Sequence, residues 1–403
     1  MFDKLGGQCY QRNILALSVI VVFLFSVLFP VTGTFASDTS SVKVIFLSEK
    51  VEKVQEKGID ILSATPDKWN ELDKISGDVI WVKGNVTLQN DANRIYLRKK
   101  LDEGARIYFI KKGISVEDMF SYLGIKDYKI QTTEGASPDP ADGMKSNLSS
   151  EVTGIQRIDR VYGIFALRFQ NPTPALVMES LAKDSQKDFI KLFRSSESKD
   201  FVIQAIDDWP IAFISSVTDY YTQGTVSFSY KLSAHPTNPI NYKYYYVGHE
   251  IVEVTANYSQ EENWASIDYF YPCISAGNNG TVYDYSPSST TTSGLSITVT
   301  LPYNVGWTFP VGAPGSGLQL SMSKYSGGIG GTWVKWCAEA VDLLGRHCYC
   351  VKTLRAEPRM EFYVNSSEAN VRAYSSYTVD FRNNYSGSVV SYFNSFDAWV
   401  PQM

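Results

Sequence analysis

The hydrophobic pattern of this chain changes its period once, near residue 199, and that change restricts the folds that the chain can adopt. Before this point, short apolar runs alternate with segments of helical periodicity. The runs lie at residues 42–47, 58–62, 78–82, 106–110 and 161–169, and the helical segments at residues 49–57, 92–103 and 116–123. Buried strands that are separated by such helices are typical of a parallel sheet with helices on its faces. We therefore expect an α/β domain over residues 37–198.

The second half of the chain shows the alternation of apolar and polar residues that is typical of half-buried strands. The clearest example is residues 226–233, in which Val, Phe, Tyr and Leu alternate with Ser and Lys. Further candidate strands lie at residues 243–254, 266–274, 332–338, 347–354, 360–364, 371–381 and 389–400. Turn residues separate most of these runs at the intervals of a sandwich. The sequence therefore predicts an antiparallel β-sandwich domain over residues 199–403.

Two segments at the end of the first half carry local signals. Polar sequence with Gly and Pro predicts an exposed loop over residues 126–160. Thr173 is a preferred N-cap residue and Pro174 a preferred first helical residue, so we expect a helix over residues 174–194. The polar residues 195–199 follow this helix and mark the predicted domain boundary.

Part of the first half resembles a known scaffold. The segments that carry the resemblance are D-V-I-W-V-K-G-N at residues 78–85 and Y-L-R-K-K-L-D-E-G-A-R-I-Y-F-I at residues 96–110. Residues 40–125 thereby resemble the flavodoxin-like sheet of class I glutamine amidotransferase-like domains. The chemistry of that family requires a Cys on a strand-to-helix elbow and a downstream His. Beyond the first 36 residues, the chain has no Cys before Cys273 and no His before His235. The resemblance therefore implies the scaffold without its catalytic residues.

The first 36 residues have the order of a secretory signal peptide. Lys4 and Arg12 precede an apolar run at residues 14–29, and small residues follow at 31–36. The run is shorter than the roughly 20 residues that a spanning helix requires, which favours a cleaved signal over a retained anchor. We therefore expect a secreted protein, either free or associated with the cell surface.

The cysteines agree with export to an oxidising compartment. Cys9 lies in the predicted signal peptide, and the other four are Cys273, Cys337, Cys348 and Cys350. An even number of cysteines in such a compartment predicts two disulfides. Cys348 and Cys350 would point to one face of a strand, where a bond between them is strained, so each is expected to pair with one of the other two. The alternative is a zinc site that uses these thiolates and His347, but the C-x-C spacing differs from the common C-x2-C knuckle.

Six acceptor triplets for N-glycosylation are consistent with the same compartment. Their asparagines are Asn85, Asn147, Asn257, Asn279, Asn365 and Asn384. In an exported protein these are candidate glycan sites.

Charge and catalytic motifs limit the range of functions. The chain has 37 Lys and Arg against 42 Asp and Glu and no basic cluster, which argues against a nucleic-acid partner. No Gly-x-Ser-x-Gly elbow is present, and adjacent carboxylates such as those at residues 207–208 and 261–262 would point to opposite faces of a strand. The sequence therefore predicts no catalytic residue, no metal site and no cofactor. The 26 tyrosines, most of them in the second half, suit both a β core and a contact surface.

One segment, residues 285–323, has no charged side chain. Apolar residues alternate with Ser, Thr or Gln at 295–301 and at 318–323, and a Gly- and Pro-rich connection lies at 307–317. This pattern suits a membrane-inserting β-hairpin, because a charge at the bilayer midplane costs about 2–4 kcal/mol. It equally suits ordinary sandwich strands, and the runs are shorter than the roughly 9–11 residues that a spanning strand requires.

We therefore expect a secreted or cell-surface protein with a non-catalytic role in binding, adhesion or envelope structure. Its partner would be a surface ligand or another envelope component. Two alternatives stay open. One is a pore-forming or membrane-damaging protein that uses the uncharged segment, with membrane contact through residues 290–324. The other is a secreted hydrolase with an unrecognised site.

Overall fold

A computed structural model gives the fold of the chain. It describes residues 42–49, 56, 58–65, 79–84, 91–126, 131–133, 147–193, 209–237, 243–257, 264–277, 280–286, 296–300, 306–310, 318–326, 332–340, 353–383 and 385–402. Within these residues, the strands form a 14-stranded mixed sheet, here the large sheet, and a 6-stranded antiparallel sheet, the small sheet. None of the helices found there is both long and apolar enough to cross a bilayer. The predicted signal peptide and most of the predicted helix at 49–57 lie outside the described residues.

The large sheet begins with four parallel strands. These are β1 (Val42–Leu47), β2 (Ile59–Ala64), β3 (Val79–Lys83) and β4 (Arg106–Ile110), in the spatial order β2-β1-β3-β4. Helices α1 (Asp91–Asp102) and α2 (Val116–Tyr122) both pack on one face of this part of the sheet. Ser115 and Asp118 form a reciprocal capping box at the start of α2. All six elements lie within a few residues of their predicted positions.

The predicted loop over residues 126–160 is wrong in its second part. Residues 149–158 form β6 (Ser149–Ile158), which pairs antiparallel with β4 on one side and with β7 (Val161–Phe169) on the other. Thr153 and Gly154 interrupt the apolar pattern of this strand. Gly154 is required because the ring of Tyr108 would lie 2.6 Å from a Cβ at that position. Before this strand, β5 (Gln131–Thr133) joins the edge of the small sheet.

The predicted helix over residues 174–194 is divided in two. It forms α3 (Pro174–Ser185), capped by Thr173 as expected, and the short α4 (Phe189–Leu192). The division has a physical cause, because the carboxylate of Asp188 accepts hydrogen bonds from the backbone N–H groups of Ile190 and Lys191 and so starts a new helix. Both helices pack on the face of the large sheet opposite α1 and α2.

The large sheet continues across the predicted domain boundary. β8 (Ile211–Tyr220), a strand that the sequence did not predict, pairs in parallel with β7. The antiparallel strands that follow are β9 (Gly224–Ala234), β10 (Lys243–Ala256), β12 (Gly280–Ser286), β13 (Ser296–Thr300), β14 (Gly306–Pro310), β17 (Thr353–Ala356) and β18 (Arg359–Asn365). Residues 195–199 lie outside the described part of the chain, but the strands on either side of them belong to one sheet.

The small sheet covers the antiparallel half of the large sheet. Its other strands are β11 (Trp264–Ser275), β15 (Leu318–Ser326), β16 (Thr332–Ala340), β19 (Asn370–Asn383) and β20 (Val389–Pro401). The two sheets share one core, in which Phe228 of β9 and Val252 of β10 belong to the same buried cluster as Phe270 of β11. Gly224 permits this close approach, since a Cβ there would lie 2.5 Å from the ring of Phe381. The predicted antiparallel sandwich is thus present, although its larger sheet is shared with the α/β half.

Two predicted strand positions need correction. The predicted connection at residues 307–317 begins with a strand, β14, because Trp307 and Phe309 pair with Val299 and Ile297 of β13. The predicted strand at residues 347–354 is observed only from Thr353 onward, as β17, and residues 347–352 lie outside the described part.

Candidate binding surface

The predicted glycan acceptors are exposed wherever the structure describes them. Asn147, Asn257 and Asn365 are all at exposed positions, next to or at the ends of strands. The asparagines at positions 85, 279 and 384 lie outside the described residues. Glycosylation of all six therefore stays a prediction.

Two of the four predicted disulfide cysteines lie on adjacent strands. Cys273 is on β11 and Cys337 on β16, which pair antiparallel. Cys273 is buried in a small cluster with Trp333 and Tyr374. Cys348 and Cys350, together with His347 of the zinc alternative, fall outside the described residues. The disulfide pairing therefore stays a prediction.

Titratable side chains do not gather into a metal centre in the described part of the chain, where no group of three or more His, Cys, Asp or Glu lies together. One buried polar cluster surrounds Asp219. Asp219 on β8 pairs in register with Arg168 on β7, whose Nε and Nη2 donate to its two carboxylate oxygens at 2.6 and 2.9 Å. Burial opposes the charge of Arg168, but the adjacent carboxylate raises its pKa above the ordinary value.

The small sheet supplies further partners to the same carboxylate. The hydroxyl of Tyr377 on β19 donates to Asp219 Oδ2, and Asn394 Nδ2 on β20 donates to the same oxygen at 3.0 Å. Burial, and then the carboxylate, raise the pKa of Tyr377. Because the side chain of Asp219 is 0% exposed, its carboxylate has no access to a substrate. It joins the two sheets and is a structural feature.

A second buried polar pair lies on β10, where successive residues point to opposite faces. Glu250 points toward the small sheet and accepts a hydrogen bond from Ser375 Oγ at 2.9 Å, and burial raises its pKa well above the ordinary value. His249 points to the other face, against the ring of Phe193. Burial lowers its pKa, and the nearby cations of Arg359, Lys231 and Arg355 lower it further. The two groups therefore face away from each other and cannot act as a catalytic pair.

A cleft of about 580 Å³ lies at the amino ends of β1, β3 and β4. Its charged side chains already have partners. Arg106 donates to Gln156 Oε1 and to the carbonyls of Asp184 and Lys187, and its guanidinium lies 4.4 Å from the ring centroid of Phe189. The two carboxylates of the cleft, Glu103 and Asp188, pair with Lys100 and cap α4, respectively. The contacts of Arg106 therefore hold α3 and α4 on the sheet. Both carboxylates of the cleft are engaged in structural contacts.

The strongest candidate for a contact surface is a row of four aromatic rings, here the aromatic row, on the face of the large sheet opposite the small sheet. Its members are Trp209 before β8, His235 after β9, Tyr245 on β10 and Tyr363 on β18. Successive ring centroids are 4.6, 6.5 and 5.8 Å apart. All four side chains are half-buried. The row therefore combines rigid placement with access to solvent.

Polar groups along the aromatic row are mainly donors. The backbone N–H of Thr237 donates to His235 Nδ1 at 3.2 Å, which places the proton of the neutral imidazole on Nε2. At the other end, Lys243 Nζ lies 3.9 Å from the ring centroid of Tyr363. With the indole of Trp209 and two tyrosine hydroxyls, the row has polar groups at the edges of its apolar rings.

The aromatic row could not be identified from the sequence. Its members come from four separate segments, and only the strand register of Tyr245 with Tyr363 brings the last pair together. The available signal was the abundance of tyrosine in the second half, which also suits an ordinary core.

The two alternating runs of the uncharged segment do not pair with each other, because β13 pairs with β14 at one end of the large sheet whereas β15 pairs with β16 in the small sheet. β13 and β14 pair antiparallel from Ser296 with Pro310 to Thr300 with Gly306. Among the described residues, a single register pair, Thr300 with Thr353, joins this hairpin to β17 and so to the rest of the sheet. The hairpin is therefore an extension of the sheet edge.

Comparisons with known proteins show no close relative. No protein family matches the chain, and neither does any curated protein. One solved structure, described as a pore forming protein, is 8% identical, with 46% of this chain and 89% of that chain covered and a TM-score of 0.25. The collagen binding subdomain of the Enterococcus faecalis surface protein ACE is 6% identical, with 41% and 92% covered and a TM-score of 0.20. The major pilin SpaD of Corynebacterium diphtheriae is 10% identical, with 46% and 37% covered and a TM-score of 0.22. Similarity at this level carries no argument about the function of this chain.

Proposed function

We propose that this chain is an extracellular, non-catalytic binding protein and that the aromatic row is its contact surface. The observation that carries the proposal is the row itself: four half-buried rings from separate segments in consecutive contact on one sheet face. Aromatic side chains are enriched at protein contact surfaces and supply most of the binding energy there. Half-buried rings that contact one another lose little conformational freedom when a partner binds.

The environment of the buried titratable groups agrees with a binding role. Asp219 is enclosed between the sheets, and the side chains of His249 and Glu250 lie on opposite faces of one strand. In the cleft, Glu103 and Asp188 already have partners. The hydrolase alternative therefore gains no support from these carboxylates.

We also propose that the first half is a flavodoxin-like scaffold that supports the sandwich. The order β2-β1-β3-β4 with all pairs parallel is the order of the first strands in doubly wound sheets of that type. The antiparallel β6 then replaces the next parallel strand and leads the sheet into the sandwich.

The proposed contact surface is tested by binding of the labelled protein to intact cells of its source organism. Replacing both Tyr245 and Tyr363 by alanine is expected to weaken this binding at least tenfold, because it removes two of the four rings of the row. The control is Tyr385→Ala, since Tyr385 is 87% exposed and lies outside the row. Equal binding by the double variant and the wild type, with both folded, would reject the aromatic row as the contact surface.

A second candidate function, membrane damage through the β13–β14 hairpin, is favoured by one specific observation. The hairpin extends the sheet edge, joined through the pair of Thr300 with Thr353, and its sequence has no charge. If it inserts, the wild type releases dye from liposomes, and Val299→Asp abolishes the release because a mid-bilayer charge costs about 2–4 kcal/mol. Thr298→Asp is the matched control, because it changes the alternate, Ser/Thr set of positions. Intact liposomes in the presence of the wild type would exclude this function.

A further inference from the structure

His249 is enclosed on the face of the large sheet that carries α3 and α4. The residue is 3% exposed, and its ring packs edge-to-face against the ring of Phe193, with ring centroids 5.2 Å apart. Phe193 follows the last residue of α4 and is itself 2% exposed. Among the described residues, neither ring nitrogen of His249 has a hydrogen-bond partner. The imidazole is therefore positioned by packing against its neighbours.

The strands on both sides of His249 place cations beside it. Lys231 of β9 and Arg359 of β18 pair in register with His249, so the three side chains point to the same face of the sheet. Lys231 Nζ also lies 5.5 Å from the ring centroid of Phe193. Arg355 of β17 is a third nearby cation, and all three oppose the protonation of His249. A protonated imidazole would be a fourth positive charge in this group.

The carboxylates on the elements around His249 are those of Asp188, Glu253, Glu357 and Glu361. Asp188 caps α4 and lies 3.4 Å from Lys191 Nζ. Glu357 pairs with Arg355 at 2.7 Å. Glu253 is exposed four residues along β10, and Glu361 of β18 is in register with Val247. None of these four carboxylates forms a hydrogen bond with the imidazole.

Protonation of His249 in this enclosure is costly for two reasons. The new charge is kept from water beside three cations, and the new N–H has no acceptor among the described residues. Both costs disappear when water reaches the imidazole. Phe193 covers the ring and belongs to the end of α4, which has four residues and is not part of the sheet. Displacing α4 is therefore a smaller rearrangement than separating the strands.

We infer that His249 is the proton sensor of an acid-sensitive switch, in which Phe193 and α4 leave the face of the large sheet. At neutral pH the imidazole is uncharged and the closed state is stable. In acid, opening hydrates the imidazolium and exposes apolar side chains such as Phe165, whose ring contacts that of Phe189 on α4. The switch goes beyond the proposed contact surface and does not depend on it, since His249 is not a member of the aromatic row.

Hydrogen exchange of the full-length protein, corrected for the intrinsic rate at each pH, tests the switch. The backbone N–H groups of Leu192 and Phe193 donate to the carbonyls of Asp188 and Ile190 and report on the closed state. If His249 has its ordinary pKa of about 6.5 in the open state, the opening constant rises about 25-fold from pH 7 to pH 5. We expect this increase at residues 189–193, whereas the amides of β7 stay protected. An equal increase at β7 would indicate global unfolding and overturn the inference.

A matched pair of variants assigns the effect to His249. His249→Leu gives up no hydrogen bond to the described residues, and its opening constant is expected to change less than threefold between the two pH values. His235→Leu, at a half-buried position after β9, is expected to keep the full increase. A wild-type response in His249→Leu would contradict the assignment.

A spectroscopic measurement keeps the inference testable where His249→Leu fails to fold. Phe193→Ala removes the ring that covers the imidazole, so the NMR titration midpoint of His249 is expected to move up toward 6.5. In the wild type this midpoint is expected to lie below 5. A midpoint near 6.5 in the wild type, or an unchanged midpoint in Phe193→Ala, would show that Phe193 does not keep His249 from water.

Discussion

Replacing Asp219 by alanine is expected to destabilise the protein by about 3–5 kcal/mol, because it leaves Arg168 buried without its carboxylate. The same change removes the acceptor for Tyr377 and Asn394, so the small sheet loses polar contacts to the large sheet. The effect is large because the carboxylate is fully enclosed and receives four hydrogen bonds. Urea denaturation followed by circular dichroism measures the loss.

The matched control is an ion pair on the surface. Lys183 and Glu179 pair at 2.6 Å on α3, but both side chains are more than half exposed. Glu179→Ala is therefore expected to cost less than about 0.5 kcal/mol, as exposed pairs on helices do. If the two substitutions had similar effects, the cluster around Asp219 would not hold the sheets together as we describe.

Replacing Glu250 by glutamine is expected to stabilise the protein at neutral pH and to have little effect near pH 4. Burial raises the pKa of Glu250 in the folded state above its ordinary value of 4.5, so the folded protein keeps a proton that the unfolded chain loses. Stability of the wild type therefore falls by about 1.4 kcal/mol per pH unit above 4.5 until the folded pKa is reached. Glutamine does not ionise and still accepts from Ser375.

His249 has the opposite dependence on pH. The pKa of His249 in the folded state lies well below the ordinary value of 6.5. As the pH falls below 6.5, the unfolded chain therefore takes up a proton that the folded protein does not, and the free energy of unfolding decreases. Between pH 4.5 and 6.5 the two contributions have opposite signs, so the stability of the wild type depends less on pH than either group alone would cause. In Glu250→Gln, stability should instead rise with pH across this interval and then level off.

The measurement is the free energy of unfolding of both proteins from pH 4 to pH 8. Glu253→Gln is the control, because Glu253 lies on the same strand at an exposed position. Parallel curves for the wild type and Glu250→Gln would show that Glu250 is not buried as a neutral acid.

The parallel half of the fold could be predicted from the sequence because its strands are continuous apolar runs. β1, β4 and β7 have the predicted bounds, since each is buried on both faces and its composition is therefore distinctive. β8 was missed because Ser215, Ser216 and Asp219 interrupt its apolar residues. Ser216 and Asp219 are buried, and their partners lie on other strands, which no local pattern reveals.

The candidate contact surface could not be predicted for a related reason. Trp209 and Tyr363 are far apart in sequence, and their connection through His235 and Tyr245 depends on the strand order of the large sheet. Composition indicated that tyrosines were available for contacts. It gave no indication of which of them form a row.

Because β7 pairs with β8, the two halves of the described chain share one continuous sheet and would respond to force as one unit. Six register pairs, from Ile164 with Ser215 to Phe169 with Tyr220, join strands on either side of the predicted domain boundary. Tension applied by an attached partner at one end of the large sheet would pass along this ladder to β1 and β2. Under the proposed function, the whole large sheet would therefore resist a pulling force, and its two halves would not separate one after the other.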